Sequence, residues 1–520
     1  MKIETALISV SDKTGLVELA GRLAEMGIKI LSTGGTGKAL EEAGISYTPV
    51  SEHTGFPEIL EGRVKTLHPR IHGGILARHD QESHQKILHE HGIPPIGLVI
   101  VNLYPFNRTV SKPDVTFDEA IENIDIGGPT LVRAAAKNHA TVTVVVDPAD
   151  YSRVVAEMMA GRGETSKSLR FELAKKAFQH TAAYDHAISA YLEGLDREEG
   201  ELAPVLTFSL SREQVLRYGE NPHQRGALYR FQFSAPTGLV AAKQHQGKQL
   251  SFNNYLDLDA AWNLIQEFEE PACAILKHNN PCGVAIGSEP VEAYRKALEC
   301  DPVSAFGSII AFNRTVDSAT AKEMASLFVE ALLAPGYSAD ALSVFGQKKN
   351  LRVMELSPAA DSKPSSGPSD FDVKRVAGGF LVQDRDVFFV KEGDLKVVTR
   401  RKPTAQEILD LLFNWTVCKF VKSNAIVLGR EGRTIGIGAG QMSRVDSVKI
   451  AAAKALSSLE GAVMASDAFF PFRDGIDEAA KHGIRSVIQP GGSVRDEEVI
   501  AAADEHEMAM VFTGIRHFRH

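Results

Sequence analysis

Short apolar runs alternate with segments whose apolar residues recur at helical spacing in the first third of the chain. Residues 3–10 (IETALISV) form one such run, and Leu16, Leu19 and Leu23 then mark a single face of a helix. The next apolar run is followed by a glycine-rich turn and a second helical pattern. This alternation predicts a parallel sheet covered by helices.

Two interruptions in the apolar pattern divide the chain. The long helical pattern over residues 173–192 is followed by the charged, pattern-free segment EGLDREEGELAP, which predicts a linker. Residues 357–372 (SPAADSKPSSGPSDFD) are rich in Ser and Pro and predict a mobile connector between two α/β halves. The predicted organisation is a first domain at 1–196, a linker at 197–204, a first half at 205–356, the connector at 357–372 and a second half at 373–520.

Composition narrows the function classes. The chain has 520 residues and a net charge of −9, which argues against a general nucleic-acid binder. Its four cysteines, Cys273, Cys282, Cys300 and Cys418, lack C-x-x-C spacing, so neither a disulfide framework nor a cysteine zinc site is expected. The sequence has no apolar run of membrane-spanning length and no secretory pattern at its start. We therefore expect a cytoplasmic protein without a membrane partner.

The turn STGGTGKA resembles a nucleotide-binding P-loop but fails its test. Ser32 stands where that motif needs its first glycine, and Ala39 stands where it needs a metal-binding hydroxyl. What remains is a glycine-rich turn that opens a helix, an arrangement suited to binding an anion. The turn SDKTG closes the first strand at the same edge of the sheet, so the two turns together predict one phosphate pocket. The alternative is a tight connection between strand and helix.

Three further motifs of the first region carry polar groups. The stretch GRVKTLHPRIHGG supplies Arg63 and Lys65, which suit an anionic substrate, although a solvated basic loop is the alternative. Tyr104 follows a buried strand, and Asp125 precedes a helix that carries Lys137. A lysine near other cations has its neutral form favoured, which suits proton transfer. For Lys137, a plain helix-surface position is the simpler interpretation.

In the second region, a strand runs into Lys277 and His278 just before a turn. This pair fits a general base and a cation that stabilises an oxyanion, and an ordinary polar loop is the alternative. The stretch also half-matches the zinc-deaminase motif, but the glutamate and the second cysteine are absent. The run FFPFRD predicts either a clamp for a flat ring or a core aromatic cluster, and GIGAG lacks the third glycine of a dinucleotide fingerprint.

The ordered motifs closely resemble the bifunctional purine-biosynthesis family in which phosphoribosylaminoimidazolecarboxamide (AICAR) formyltransferase is fused to IMP cyclohydrolase. The resemblance spans essentially the whole chain and rests on SVSDKTG, STGGT, GRVKTLHP, NLYPF, IDIGG, RAAAKNH, RYGENPHQ, LKHNNPCG, KSNA, IGIGAGQ and SDAFFPFRD. It implies an α/β fold with an N-terminal methylglyoxal-synthase-like parallel-sheet domain and two cytidine-deaminase-like α/β domains. The implied reactions convert AICAR to formyl-AICAR, with 10-formyltetrahydrofolate as cosubstrate, and then close formyl-AICAR to IMP.

The resemblance also implies residue roles in the first domain. Lys137 would transfer the proton in ring closure, with Lys65, Tyr104 and Asp125 assisting. The nucleotide would be held by Ser11, Asp12, Lys13, Thr33, Gly34, Gly35, Thr36, Arg63, Val64, Thr66, Asn102 and Ile126.

In the second region, His278 would take the proton of the attacking amine and Lys277 would stabilise the tetrahedral intermediate. AICAR would be bound by Arg217, Tyr218, Asn424, Phe469 and Arg516, and the folate by Val445, Asp474 and Ser493. The resemblance implies a homodimer and no zinc; a monovalent cation is known in the family, but its ligands are not placed here. Some members carry aspartate where Ser308 aligns, so the role of Ser308 stays open.

Two other classes of function are compatible with parts of the chain. The first domain alone fits a regulatory module that senses phosphate, which would bind a ligand without turnover. It also fits a phosphosugar lyase of the methylglyoxal-synthase type, which leaves the second region without a task. The joint presence of Lys65, Tyr104 and Lys137 favours the bifunctional enzyme over the regulatory module.

Overall fold

The structure is a computed structural model, and it describes residues 2–112, 114–195, 201–232, 237–357 and 371–520. It divides the chain into two compact units, Met1–Thr207 and Phe208–His520. Within the predicted linker, residues 197–200 lie outside the described part, and so do residues 358–370 of the predicted connector. The domain boundaries therefore stay predictions.

Unit 1 contains the predicted parallel sheet, with its five strands in the order β3-β2-β1-β4-β5. Its central strands carry apolar side chains on both faces because helices cover both sides, so their sequences read as continuous apolar runs. The strands are β1 (Thr5–Val10), β2 (Lys29–Ser32), β3 (Thr48–Pro49), β4 (Leu98–Asn102) and β5 (Thr143–Val145).

The helices of unit 1 lie between and after these strands. They are α1 (Leu16–Glu25), α2 (Gly34–Glu42), α3 (Val50–Thr54), α4 (Pro69–Leu76), α5 (Glu82–Glu90), α6 (Phe106–Val110), α7 (Phe117–Glu122), α8 (Gly127–Lys137), α9 (Tyr151–Ala160) and α10 (Lys167–Leu195). Three of them, α1, α2 and α8, begin directly after turns at the carboxyl edge of the sheet. Their N-termini therefore meet at that edge.

Unit 2 is built on one mixed sheet of twelve strands in the order β16-β21-β20-β19-β17-β18-β10-β9-β11-β12-β13-β8. Two hairpins, β6–β7 and β14–β15, form separate two-stranded sheets. The strands are β6 (Leu210–Val215), β7 (Ala227–Phe231), β8 (Lys243–Gln246), β9 (Ala272–Lys277), β10 (Asn280–Ile286), β11 (Ser308–Phe312), β12 (Val329–Ala334), β13 (Arg352–Glu355), β14 (Phe371–Val376), β15 (Gly379–Asp384), β16 (Lys396–Val397), β17 (Ile426–Arg430), β18 (Arg433–Gly438), β19 (Val463–Ser466), β20 (Ser486–Gln489) and β21 (Ala509–Phe512).

The same order of elements occurs twice in unit 2, which confirms the two predicted α/β halves. Each half has an edge strand, a helix, an antiparallel hairpin and then alternating helices and strands, and the halves meet where β10 pairs with β18. The helices of the first half are α11 (Phe252–Ile265), α12 (Pro290–Leu298), α13 (Ser318–Glu323) and α14 (Ala339–Gly346). Their counterparts are α15 (Ala405–Cys418), α16 (Arg444–Lys454), α17 (Asp474–Lys481) and α18 (Asp496–Glu505).

Three apolar clusters fill unit 2. One face of the sheet packs against α11 and α15 in a single cluster that contains residues of both halves, such as Leu264 and Trp415. The opposite face carries two separate clusters, one in each half, around Phe312 and Met464. The two halves thus share one core while each keeps another of its own.

The glycines of GIGAG bring strand β18 close to helix α16. A Cβ atom at Gly436 or Gly438 would overlap the backbone carbonyl oxygen of Ala451 or Ser447, respectively. Gly283 of β10 stands in the same relation to Ala297 of α12. The glycines of GIGAG therefore allow α16 to pack closely against β18. A packing role does not require the third glycine of a dinucleotide-binding fingerprint, which this motif lacks.

Replacing Gly438 with alanine is expected to lower the stability of unit 2 by roughly 2 kcal/mol, because the added methyl group overpacks a rigid helix–strand contact. Thermal unfolding followed by circular dichroism measures the effect. Gly346→Ala is the matched control, since no atom lies within 4 Å of the methyl group that it adds. Equal melting temperatures for the two variants would contradict the packing argument.

Candidate functional site

A cavity with a volume of about 380 Å³ opens at the carboxyl edge of the unit 1 sheet. Its walls come from the turns after β1, β2 and β4, from the loop around residue 63 and from the N-terminus of α8. The structure brings most of the predicted first-domain residues together there, namely Ser11, Lys13, Thr33, Gly34, Gly35, Thr36, Arg63, Lys65, Thr66, Asn102, Tyr104, Asp125 and Ile126.

Two lysines converge on the glycine-rich turn that opens α2. The Lys65 Nζ lies 3.5 Å from where a Cβ atom on Gly34 would be, and the Lys13 Nζ lies 3.9 Å from the same point on Gly35. Free backbone N–H groups at a helix start attract anions, and the two ammonium groups add positive charge beside them. The absence of side chains at Gly34 and Gly35 leaves room for an anion between them.

Carboxylates face two of the cations of this pocket. Glu58 lies 3.5 Å from the Lys65 Nζ, and Glu122 lies 3.5 Å from an Arg63 nitrogen. The Arg63–Glu122 pair is well exposed, so it contributes little stability. The Arg63 guanidinium is therefore available to an anionic ligand.

Several predicted ligands use their side chains to hold the walls of the pocket. The Asn102 Oδ1 accepts hydrogen bonds from the backbone N–H groups of Ser11 and Asp12, at 2.7 and 2.9 Å. The Thr36 hydroxyl donates to the carbonyl oxygen of Val10 and accepts from its N–H. These contacts fix the turn after β1 relative to its neighbours.

The half-buried carboxylate of Asp125 is held at the N-terminus of α8. It accepts a hydrogen bond from the backbone N–H of Gly128 at 2.7 Å. The Tyr184 hydroxyl accepts the backbone N–H of Asp125 at 2.8 Å, a contact made from the distant helix α10. Burial raises the pKa of Asp125 above its ordinary value. Asp125 is therefore a carboxyl group in a fixed position, in the same pocket wall as Tyr104.

The structure does not bring three of the predicted first-domain residues into the pocket wall. Lys137 ends α8, and at 1.5 Å per residue it lies about 15 Å from the helix start that faces the cavity. The Asp12 carboxylate accepts hydrogen bonds from the N–H and hydroxyl of Thr14, which lower the pKa of Asp12. Val64 pairs through its backbone with Ile59. The proton transfer by Lys137 stays a prediction.

In unit 2, Lys277 ends β9 and His278 begins the two-residue turn that leads into β10. The φ angles of His278 and Asn279 are 54° and 60°, in the left-handed region. The Lys277 Nζ donates to the carbonyl oxygen of Phe306 at 2.9 Å. Ser308 lies nearby, and its buried hydroxyl has no hydrogen-bond partner among the described residues.

A buried ion pair holds Asn424 in the second half. Arg444 donates to the Asn424 Oδ1 at 2.7 Å and pairs with the Asp467 carboxylate, which is fully buried. Asn424 in turn donates to the carbonyl oxygens of Gln441 and Met442. The sequence analysis did not identify Arg444 and Asp467. The feature that could have pointed to them is the charged residue inside each of the segments GAGQMSR and SDAFFPF.

Replacing Asp467 with asparagine is expected to destabilise unit 2 by about 3 kcal/mol, because it leaves the Arg444 guanidinium buried without its counter-charge. Urea unfolding measures the loss. Asp446→Asn, which removes the exposed partner of Lys449, is the control and should change stability by less than about 0.5 kcal/mol. A loss in D467N as small as that of the control would refute the assigned role of the pair.

The C-terminal segment is tied to the Asn424 segment. Ser423 and Arg519 exchange two hydrogen bonds, each 3.0 Å long, and Ser423 also donates to Asp467 at 2.5 Å. The predicted ligand Arg516 lies in this segment, with its guanidinium 4.6 Å from the ring centre of Phe518.

The aromatic run FFPF contains both core and exposed rings, so parts of it fit each of the two predictions, a core aromatic cluster and a clamp for a flat ring. Phe470 is buried in the core, whereas Phe469 and Phe472 are exposed, and Arg495 lies 4.7 Å from the Phe472 ring centre. Asp474 begins α17 directly after this run. The exposed rings remain available to a flat ligand.

The remaining predicted ligands lie on separate segments. Arg217 stacks on Tyr218, with 4.6 Å between guanidinium and ring centre, and Val445 lies in the first turn of α16. The Ser493 hydroxyl accepts the backbone N–H of Arg495. Within the described ranges, no hydrogen bond or ion pair joins Arg217 or Tyr218 to His278 or Asn424.

Two expectations about chain-wide features concern metals and membranes. Across the described residues, no group of three or more His, Cys, Asp or Glu side chains could hold a metal ion. In the same part of the chain, no helix has both the length and the apolar character needed to cross a bilayer.

Unit 1 thus carries a polar pocket at the carboxyl edge of its sheet, and unit 2 carries a pair of α/β halves. Residues 15–130 match the model of the MGS-like domain, and residues 135–454 match the model described as AICARFT/IMPCHase bienzyme. The second match covers more than half of the chain, so the chain belongs to the AICARFT/IMPCHase bienzyme family, which joins a formyltransferase to a cyclohydrolase in purine biosynthesis.

One solved structure that the chain resembles is titled "Crystal structure of ForH". It is 35% identical, and the match covers 37% of this chain and 99% of that one, with a TM-score of 0.34.

Proposed function

We propose that this chain catalyses the last two steps of IMP synthesis, formyl transfer from 10-formyltetrahydrofolate to AICAR and ring closure of formyl-AICAR. The observation that carries the proposal is the pocket in which Lys13 and Lys65 converge on the Gly34–Gly35 turn. AICAR, formyl-AICAR and IMP all carry a 5′-monophosphate, the kind of group that a helix N-terminus with two ammonium groups binds.

Ring closure takes place in unit 1. The carboxamide nitrogen of formyl-AICAR attacks the formyl carbon, a C–N bond forms, and the resulting carbinolamine loses water to give IMP. Asp125 takes the carboxamide proton, and its raised pKa brings the carboxyl group closer to neutral pH than an ordinary aspartate. Tyr104 and Lys65 line the same pocket, and in this proposal they assist the loss of water.

Formyl transfer takes place in unit 2. The AICAR amine attacks the formyl carbon of the folate, His278 takes the amine proton, and tetrahydrofolate leaves as the tetrahedral intermediate collapses. The Lys277 ammonium group stabilises the oxyanion of that intermediate. Lys277 suits this role because its ammonium group is already fixed by the Phe306 carbonyl oxygen.

The ligands of this second site lie on several segments. AICAR is held by Arg217, Tyr218, Asn424, Phe469 and Arg516, and the folate lies along Val445, Asp474 and Ser493. The stacked pair Arg217–Tyr218 and the exposed ring of Phe469 fit a phosphorylated heterocycle.

The protein is proposed to act as a homodimer in the cytoplasm. The hairpin β14–β15 exposes apolar side chains, and Phe380 and Leu381 are each 63% exposed. Apolar groups of this size in a neighbouring pair mark interaction surfaces. The four cysteines are all free.

The test is to mix the purified protein with AICAR and 10-formyltetrahydrofolate and to identify the products by mass. IMP and tetrahydrofolate are expected. Accumulation of formyl-AICAR without IMP would refute the ring-closure assignment. Absence of folate turnover, together with closure of added formyl-AICAR, would refute formyl transfer alone.

A further inference from the structure

The turn that carries His278 has an unusual backbone for its residues. Both central residues, His278 and Asn279, have positive φ angles, the geometry of a type I′ turn. Asparagine and glycine adopt this region readily, but histidine does so at some cost. A residue held in such a conformation needs support from its surroundings.

That support comes from Asp257 of helix α11. Its Oδ1 accepts the backbone N–H of Asn279, the residue directly after His278, at 2.6 Å. The tip of the turn is therefore held by a carboxylate from a different element. Hydrogen bonds to a charged acceptor are roughly twice as strong as neutral ones, so they can offset the backbone strain.

The second half of unit 2 contains an equivalent turn that is held by an equivalent aspartate. Glu431 and Gly432 form the turn between β17 and β18 with φ angles of 54° and 64°, and the Asp410 Oδ1 accepts the N–H of Gly432 at 3.0 Å. Asp257 and Asp410 each occupy the sixth position of a 14-residue helix, α11 and α15. The carboxylate anchor is thus part of the repeated scaffold, and only one copy lies beneath the histidine.

We propose that Asp257 is a positioning residue for formyl transfer: it fixes the backbone of His278 so that the imidazole meets the AICAR amine. It acts through the turn and does not touch the substrate. The inference rests on the proposed function of His278. Since a misplacement of about 1 Å can lower a rate by about 100-fold, loss of the anchor should affect the chemical step rather than AICAR binding.

The experiment compares Asp257→Asn with Asp410→Asn, the same change at the equivalent position of the other half. Asp257→Asn is expected to lower the kcat of formyl transfer by about 30-fold, with the KM for AICAR within about twofold of wild type. Asp410→Asn should leave kcat within about threefold, and both variants should close formyl-AICAR at the wild-type rate. Melting temperatures show whether the two variants are equally folded.

A second measurement makes the outcome independent of turnover. In protein with ¹³C-labelled histidine, the Cε1–Hε1 cross-peak of His278, identified with H278Q, should move in D257N and stay in place in D410N. A wild type without formyl transfer would refute the proposed function, and this spectrum would still decide the positioning role. An unmoved cross-peak, or equal kcat losses in the two variants, would overturn the inference.

Discussion

Replacing His278 with glutamine is expected to lower the kcat of formyl transfer by about 1000-fold and to leave ring closure within about twofold of wild type. Glutamine keeps the polarity and approximate size of histidine but cannot accept the amine proton, and a positioned general base contributes about 10²–10⁴-fold. The loss corresponds to about 4 kcal/mol of transition-state stabilisation. Steady-state assays with AICAR and 10-formyltetrahydrofolate measure the first rate, and assays with formyl-AICAR measure the second.

His482→Gln is the control for this substitution. His482 follows α17, and its side chain is 38% exposed beside Glu478 on the preceding turn. The control should retain both activities. If H278Q kept more than one tenth of the wild-type kcat, proton transfer by His278 would be rejected.

Asp125→Asn is expected to lower the kcat/KM of ring closure by about 300-fold while formyl transfer is unchanged. The substitution preserves the shape of the side chain but removes the carboxyl group that exchanges a proton. Burial raises the Asp125 pKa, so the carboxylate becomes protonated at a higher pH than an ordinary aspartate. The wild-type rate should fall as the pH drops through that raised pKa, and D125N should lack this fall.

Replacing Lys137 with methionine tests whether Lys137 transfers the proton in ring closure, as the family resemblance implies. Because Lys137 lies at the far end of α8, its replacement should retain ring closure within about tenfold. A loss equal to that of D125N would show that the ammonium group acts on the reaction despite its distance. Rates of ring closure measured over a range of pH compare the two variants directly.

The sequence predicted those features that depend on residues close together in the chain. Alternation of apolar runs was sufficient for the parallel sheet, and the glycine-rich turn at Gly34–Gly35 was sufficient for an anion pocket, because each is a local pattern. The turn after Lys277 was predicted for the same reason. The local pattern did not show which part of α8 lines the pocket, and the role that the resemblance implies for Lys137, at the end of that helix, stays a prediction.

Contacts between distant segments were beyond prediction. The hydrogen bond that the Asp125 N–H donates to the Tyr184 hydroxyl and the ion pair Arg444–Asp467 each join residues that no local pattern connects. Asp257 belongs to none of the motifs identified in the sequence. The hydrogen bond from the turn that carries His278 to Asp257 forms only when α11 packs against the hairpin. Its role in the scaffold is recognised only by comparison with the second half, where Asp410 accepts the equivalent bond.

The shared apolar cluster of unit 2 determines how this part of the chain can fold. Since α11 and α15 bury their apolar faces in one core, neither half can shield that core alone. Separate expression of the halves should yield aggregation-prone fragments, whereas co-expression should restore a single cooperative melting transition. The segment between the halves can then vary in length, provided that both halves are present to close the shared core.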